Sequence, residues 1–374
     1  MAETRVDQLN KFGQSVWLDN INRQMLRTGS LEHWIGVGLR GMTSNPSIFD
    51  NAISKSSDYD DEIRSLSKAG KAIFEVYDDL TVKDIQDAAD MYRSIYEDSE
   101  GLDGYVSLEV NPKLASKTQE TIDEAMRLYQ KVDRPNVMFK VPSTPEGFGA
   151  VEELIAWGVN VNVTLIFSLD QYVNTANAYL RGMKRWIGAA GDPKVVGSVA
   201  SVFVSRVDTS VDKILEERAA AAQDQTAKER FESLRGKAAV ANSALIYKKY
   251  LDMLASEEFV GLREQGVRPQ RLLWGSTSTK NPSYSDIKYV TELIAKGTVN
   301  TMPDKTFEAF IDHGDVKEAL SPNVSEAEKI IGDLADLGID IDKVCAELLA
   351  EGVVKFEQSF DSLLGSIQTK MVSA

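Results

Sequence analysis

Eight short runs with strand character recur along this 374-residue chain, and most are followed by a stretch with helical spacing. They lie at residues 14–19, 35–42, 104–110, in the apolar run opening the stretch 136–149, and at 158–165, 195–204, 270–275 and 299–302. Strand alternating with helix requires right-handed crossovers and a parallel sheet, and a count of eight favours a sheet closed on itself. The expected fold is therefore α/β, a (β/α)8 TIM barrel with additional helices. An open doubly wound sheet is the other arrangement that fits. No Gly-x-Gly-x-x-Gly follows the first run, which weakens a dinucleotide-binding version of it. We expect one barrel domain over 1–374, with a helical insertion around 208–268 and a long C-terminal helix around 340–370.

A hydrophobic content of 43% is enough for a large core and excludes disorder or a coiled coil. Cys345 is the single cysteine, so neither an intramolecular disulfide nor a cysteine-rich metal site is available. With only His33 and His313, a histidine metal cage or a Ser-His-Asp triad is disfavoured, and no metal or other cofactor is expected. The N-terminus lacks an apolar leader, and no run approaches the roughly 20 apolar residues of a membrane span, so a cytoplasmic protein is expected. A formal net charge of −15 argues against nucleic acid or an anionic membrane as partner. An anionic substrate would need a local cluster of Arg or Lys to overcome that field. The sequence leaves a homo-oligomer open.

Helix boundaries are marked by capping residues. Ser44 or Asn45 before Pro46, Ser143/Thr144 before Pro145, and Ser168 with Gln171 all read as helix starts. Thr81 with Asp84 reads as another, and further helices are expected near 113–132, 208–253 and 285–295. An Ala- and charge-rich middle at 216–236 reads as a solvated insertion. Near the C-terminus, Ile341, Val344, Leu348, Phe356, Phe360, Leu363 and Ile367 fall on one helical stripe.

Within the strands, period-two alternation separates two faces. Val106, Leu108 and Val110 share one face, leaving Ser107 and Glu109 on the other. Likewise Val159, Val161, Val163 and Leu165 oppose Asn160, Asn162 and Thr164. Inward positions near strand C-termini are then Asp19, Glu109, Lys140, Asn162, Thr164 and Ser201. Each has an ordinary structural explanation when taken alone, but their gathering at one end of a barrel marks a site. Lys140, near the end of an apolar strand, must be paired, reach solvent, or lose its charge and become a nucleophile. A lysine without metal ligands suggests attack on a carbonyl to form a Schiff base. At an ordinary lysine pKa only about one amine in a few thousand is free at neutral pH, so burial or nearby cations must assist. Imine chemistry also needs proton carriers, for which Glu109 and Asp19 are the available carboxylates and Thr164 can hold a water.

Gly41-Met-Thr-Ser-Asn-Pro-Ser-Ile-Phe49 and Met138-Phe-Lys-Val-Pro-Ser-Thr-Pro-Glu-Gly147 resemble the two signatures of the transaldolase family. Leu108-Glu-Val110, Asn160-Val-Asn-Val-Thr-Leu-Ile-Phe-Ser168 and Ser201-Val-Phe-Val-Ser-Arg206 resemble further segments, in that family's order. The likeness runs from about residue 14 to the final helix and is greatest to the longer bacterial form of this class I Schiff-base enzyme. It implies three-carbon transfer between sugar phosphates in the non-oxidative pentose phosphate pathway. On this resemblance Lys140 attacks the ketone of sedoheptulose 7-phosphate or fructose 6-phosphate. Asp19 is acid and base at the cleaved bond, and Glu109, with a water held by Thr164, moves protons during imine formation. Thr43, Asn45 and Asn162 would hold hydroxyls or the bound three-carbon unit, Ser201 and Arg206 would hold the phosphate, and Phe203 would be a further substrate-binding residue.

Two residues depart from the pattern. Lys280 stands where relatives commonly carry a second phosphate-binding arginine and brings charge without a bidentate fork. Met42 occupies a position where a smaller or β-branched residue is expected. An aldolase on the same scaffold and a catalytically silent sugar-phosphate-binding protein are the competing readings.

Overall fold

A computed structural model describes residues 3–372. Eight parallel strands close into a barrel in chain order: β1 Gln14–Leu18, β2 Gly41–Thr43, β3 Tyr105–Glu109, β4 Val137–Pro142, β5 Val161–Ile166, β6 Ser198–Phe203, β7 Arg271–Gly275 and β8 Thr298–Met302, with β1 paired to both β2 and β8. This is the expected (β/α)8 fold with additional helices.

The two faces of each strand have separate tasks. Val106, Leu108, Val159, Val161 and Val163 point outward into the core shared with the helices. Inside, Trp17, Tyr105, Met138, Val199, Leu273 and Val299 form their own apolar plug. Gly41 makes room for it, since a Cβ there would lie 2.6 Å from the Trp17 ring. Below the plug, Arg271 bonds Ser15 Oγ and Asp103 Oδ1, each at 2.8 Å, and closes the N-terminal end. The barrel is thus filled except at the C-terminal mouth, which is where this architecture gathers functional side chains.

The capping residues set where the helices begin. Asn45 Oδ1 caps Pro46–Ser54, Thr144 caps Pro145–Ala156, and Ser168 with Gln171 forms the capping box of Leu169–Gly188. Several local expectations differ from the structure. Residues 35–37 belong to the helix Ser30–Val37, so β2 is confined to Gly41–Thr43. Thr81 and Asp84 lie inside the helix Ile73–Met91, which starts after Ala72 with Glu75 bonding back to the cap. The helix expected at 113–132 starts at Thr118 after a 3-10 turn, and the one at 285–295 shrinks to Lys288–Thr291. The helices Arg5–Phe12, Asp304–His313 and Ser325–Asp336 were not anticipated.

Between β6 and β7 run four helices, Ser205–Ala221, Gln225–Ser233, Ala238–Leu254 and Glu257–Glu264. The last helix, Ile341–Val372, buries its whole expected stripe and lies along Pro46–Ser54. Its Gly352 faces Leu165, where a Cβ would come within 3.0 Å of Leu165 Cδ2. Leu165 sits at a register shift between β5 and β6 with φ of 61°, so its side chain meets the C-terminal helix and β5 departs from strict alternation after Thr164. No helix of the described residues is long and apolar enough to cross a membrane.

Candidate active site

A cavity of about 250 Å³ opens at the C-terminal mouth. Ten of the eleven residues singled out from sequence line it: Asp19, Thr43, Asn45, Lys140, Asn162, Thr164, Ser201, Phe203, Arg206 and Lys280. Glu109, the eleventh, lies beside the cavity against Lys140.

Parallel register explains the grouping. Glu109 on β3, Lys140 on β4 and Asn162 on β5 are successive register partners, so all three reach the interior at one height. Lys140 is 4% exposed. Its Nζ donates to the Ser44 carbonyl at 3.0 Å and lies 2.8 Å from Glu109 Oε2. The two form a buried ion pair. Thr164 Oγ1 is buried with no hydrogen-bond partner among the described residues. The Phe356 ring of the last helix covers the lysine, with its centroid 5.8 Å from Nζ.

Asp19 follows β1 and accepts the Thr43 hydroxyl at 2.7 Å. Burial raises its carboxyl above the ordinary range, opposed first by the Lys140 charge and then by the Thr43 bond, Lys280 and Arg206. Burial likewise raises Glu109, opposed by Lys140 and reinforced by Asp19. Both carboxylates are therefore better proton acceptors than exposed ones. On the far wall Ser201 Oγ donates to Asn162 Oδ1 at 2.6 Å and Asn162 Nδ2 donates to Ser107 Oγ at 3.0 Å, which fixes the amide. The Asn45 side-chain oxygen, Oδ1, is committed to its helix cap, accepting from the Ile48 N–H.

At the outer rim, the half-buried Arg206 makes no hydrogen bond or ion pair among the described residues and only stacks on Phe203 at 5.3 Å. Burial lowers its pKa. The Lys280 ammonium also falls below the ordinary lysine range, through partial burial first and repulsion from Arg206 second. Two neighbouring cations that form no ion pair among the described residues are suited to hold an anion. Among the described residues no group of three or more His, Cys, Asp and Glu side chains is placed to hold a metal ion.

A model of the Transaldolase/Fructose-6-phosphate aldolase family matches residues 16–367. The chain belongs to this family. It is 42% identical to a transaldolase of Trichodesmium erythraeum over 99% of this chain and 98% of that protein. Against a transaldolase of Saccharopolyspora erythraea it is 44% identical over 100% of this chain and 99% of the relative. With a transaldolase of Thiobacillus denitrificans the identity is 45%, over 96% and 98%.

Further residues lining this transaldolase-family pocket were not read from the sequence as site residues, among them Ile48, Ser276, Thr301 and Phe356. Thr301 lies within the strand expected at 299–302, on the same face as Val299, and alternation would have exposed it. Ser276 begins the loop after β7. No local signal marks Phe356, since a helical stripe residue more than 200 positions from Lys140 reads as ordinary core.

Proposed function

We propose that this chain is a transaldolase, which moves a dihydroxyacetone unit from a ketose phosphate such as sedoheptulose 7-phosphate or fructose 6-phosphate to an aldose phosphate such as glyceraldehyde 3-phosphate or erythrose 4-phosphate. Its place would be the non-oxidative pentose phosphate pathway. The observation that carries the reading is the buried Lys140 with Glu109 at 2.8 Å, in a pocket also lined by Arg206, which forms no ion pair among the described residues. We further read the chain as one barrel domain in the cytoplasm, with residues 208–268 inserted.

In this mechanism the Lys140 ammonium passes a proton to Glu109 and the free amine adds to the ketone carbon. The added nitrogen gives up a second proton, which passes with the one returned by Glu109 to the carbinolamine oxygen; that oxygen leaves as water beside Thr164, and an iminium remains. Asp19 then takes the proton of the C4 hydroxyl as the C3–C4 bond breaks, and the electron pair passes into the iminium as an enamine. The aldose phosphate departs. When the acceptor aldehyde enters, the enamine carbon attacks it, Asp19 protonates the new oxygen, and water releases the product from Lys140. Arg206 and Lys280, with Ser201, hold the phosphate, while Thr43, Asn45 and Asn162 orient the bound three-carbon unit.

Borohydride reduction in the presence of fructose 6-phosphate should leave a three-carbon adduct on Lys140, located by peptide mass mapping, and Lys140→Ala should abolish it. Absence of any adduct in the parent protein defeats the Schiff-base reading. Release of free dihydroxyacetone as the main product, with no transfer to erythrose 4-phosphate, would assign an aldolase instead. Arg206→Ala is expected to raise KM for phosphorylated donors by roughly one to two orders of magnitude, from the loss of a charge-assisted contact.

A further inference from the structure

Two buried carboxylates near the start of the helix Ser205–Ala221 take no part in that chemistry. Asp208 accepts the Ala239 N–H at 2.7 Å and the Tyr289 hydroxyl at 2.8 Å. One turn on, Asp212 accepts the Gly236 N–H at 2.8 Å and the Tyr284 hydroxyl at 2.7 Å. Among the described residues neither forms an ion pair. Burying two like charges one turn apart without a cation is costly, so the four donors they hold must fix something in return.

Those donors come from two places. Gly236 and Ala239 belong to the entry of the helix Ala238–Leu254, inside the 208–268 stretch. Tyr284 and Tyr289 belong to the segment that follows β7. At the start of the same helix, the Ser205 N–H donates to the Ser276 carbonyl at 3.1 Å and the two hydroxyls lie 3.1 Å apart. Ser205, Asp208 and Asp212 are spaced to share one helix face. The loop between β7 and Tyr284 is therefore pinned at both ends by one helix, whose second residue is Arg206. Ser276 takes a left-handed φ of 54°, a strained conformation for serine that the bonds to Ser205 hold in place. Inside the loop Thr279 Oγ1 donates to the Ser285 carbonyl at 2.7 Å, and Lys280 stands at the apex.

A lysine reaches phosphate as a point charge on a flexible stem, without the fork that lets arginine orient itself. Its contact is set by where its backbone is held. We propose that Asp212 and Tyr284 are positioning residues for the phosphate grip: their hydrogen bond holds the loop after β7 so that Lys280 stands beside Arg206, and the 208–268 helices supply the N–H groups that seat the carboxylates. The inference rests on the reading of Arg206 and Lys280 as the phosphate site. It gives the stretch between β6 and β7 a part in substrate binding.

The test compares Tyr284→Phe, Lys280→Ala and the double variant, reading KM and kcat with fructose 6-phosphate and competitive inhibition by inorganic phosphate. Tyr284→Phe should raise KM and the phosphate inhibition constant about three- to tenfold with kcat held within about twofold, the loss expected for one displaced charge contact. Asp212→Ala, which removes the acceptor of the Tyr284 hydroxyl, should give the same pattern and serves if the tyrosine variant folds poorly. In the Lys280→Ala background the tyrosine substitution should add nothing. If Lys280→Ala raises both constants and Tyr284→Phe raises neither, the phosphate site stands and the positioning role falls. If Lys280→Ala itself changes neither, both ideas fall together. An equal effect of Tyr284→Phe with and without Lys280 also overturns the proposal, because the tyrosine then acts through another group.

Discussion

One proton decides how Asp19 is held. Thr43 Oγ1 lies 2.7 Å from Asp19 Oδ1 and 2.8 Å from Thr301 Oγ1. Its only hydrogen goes to the carboxylate, so Thr301 is the donor in the second bond and the two threonines form a directed chain ending on Asp19. Thr43→Val removes an influence that lowers the Asp19 pKa, while the burial that raises it remains. Asp19 must be deprotonated to accept the hydroxyl proton, so the acid limb of the kcat/KM profile should move to higher pH. We expect kcat to fall about tenfold at neutral pH, in line with a lost hydrogen bond to a charged group. An unmoved acid limb would show that Asp19 is not the titrating base. Period-two alternation was enough to find Glu109, Lys140, Asn162 and Thr164 in the sequence. It could not bring Glu109 to 2.8 Å from Lys140, because that distance depends on the register between two strands.

Among the elements, the loops after β4 and β5 are tied together by one glutamine. Gln171 Oε1 accepts the N–H groups of Phe167 and Ser168, and its Nε2 donates to Ser143 Oγ at 2.8 Å. Ser168→Ala should cost about 1 kcal/mol in urea unfolding, the usual loss for an N-cap. Gln171→Ala should cost about 2–3 kcal/mol, since it leaves several groups unpaired. Equal costs would mean that only the cap matters. The boundaries at Asn45, Thr144 and Ser168 were legible because a cap acts over three or four residues. Residues 35–37 were misread because a short apolar run fits a buried helix turn as well as a strand. Thr81 and Asp84 have the spacing of a capping box, yet the helix passes through them, since Thr81 bonds back to the Tyr77 carbonyl instead.

For the molecule as a whole, the buried Asp208 links stability to pH. Burial pushes it up to about 6 from an ordinary 3.8. The native state then binds the proton more tightly than the unfolded chain. The stabilisation from this group is complete below about pH 4 and is lost as pH rises through 6. The difference between those values corresponds to about 3 kcal/mol. Because asparagine cannot titrate, the unfolding free-energy difference between the parent and Asp208→Asn should change by about this amount between pH 4 and 7. A difference that is constant with pH rules the linkage out.

By itself the sequence determined the barrel, the strand that carries Lys140 and the end of the strands where its partners gather. Strand period, helix caps and apolar stripes are written in neighbouring residues. Only the tertiary structure decided that Phe356 covers the lysine, that Thr301 completes the chain to Asp19, and that Asp212 holds the loop bearing Lys280. Each of these joins side chains from about 70 to more than 250 positions apart. Such contacts depend on how the strands close and how the last helix crosses the mouth, and no local pattern encodes either.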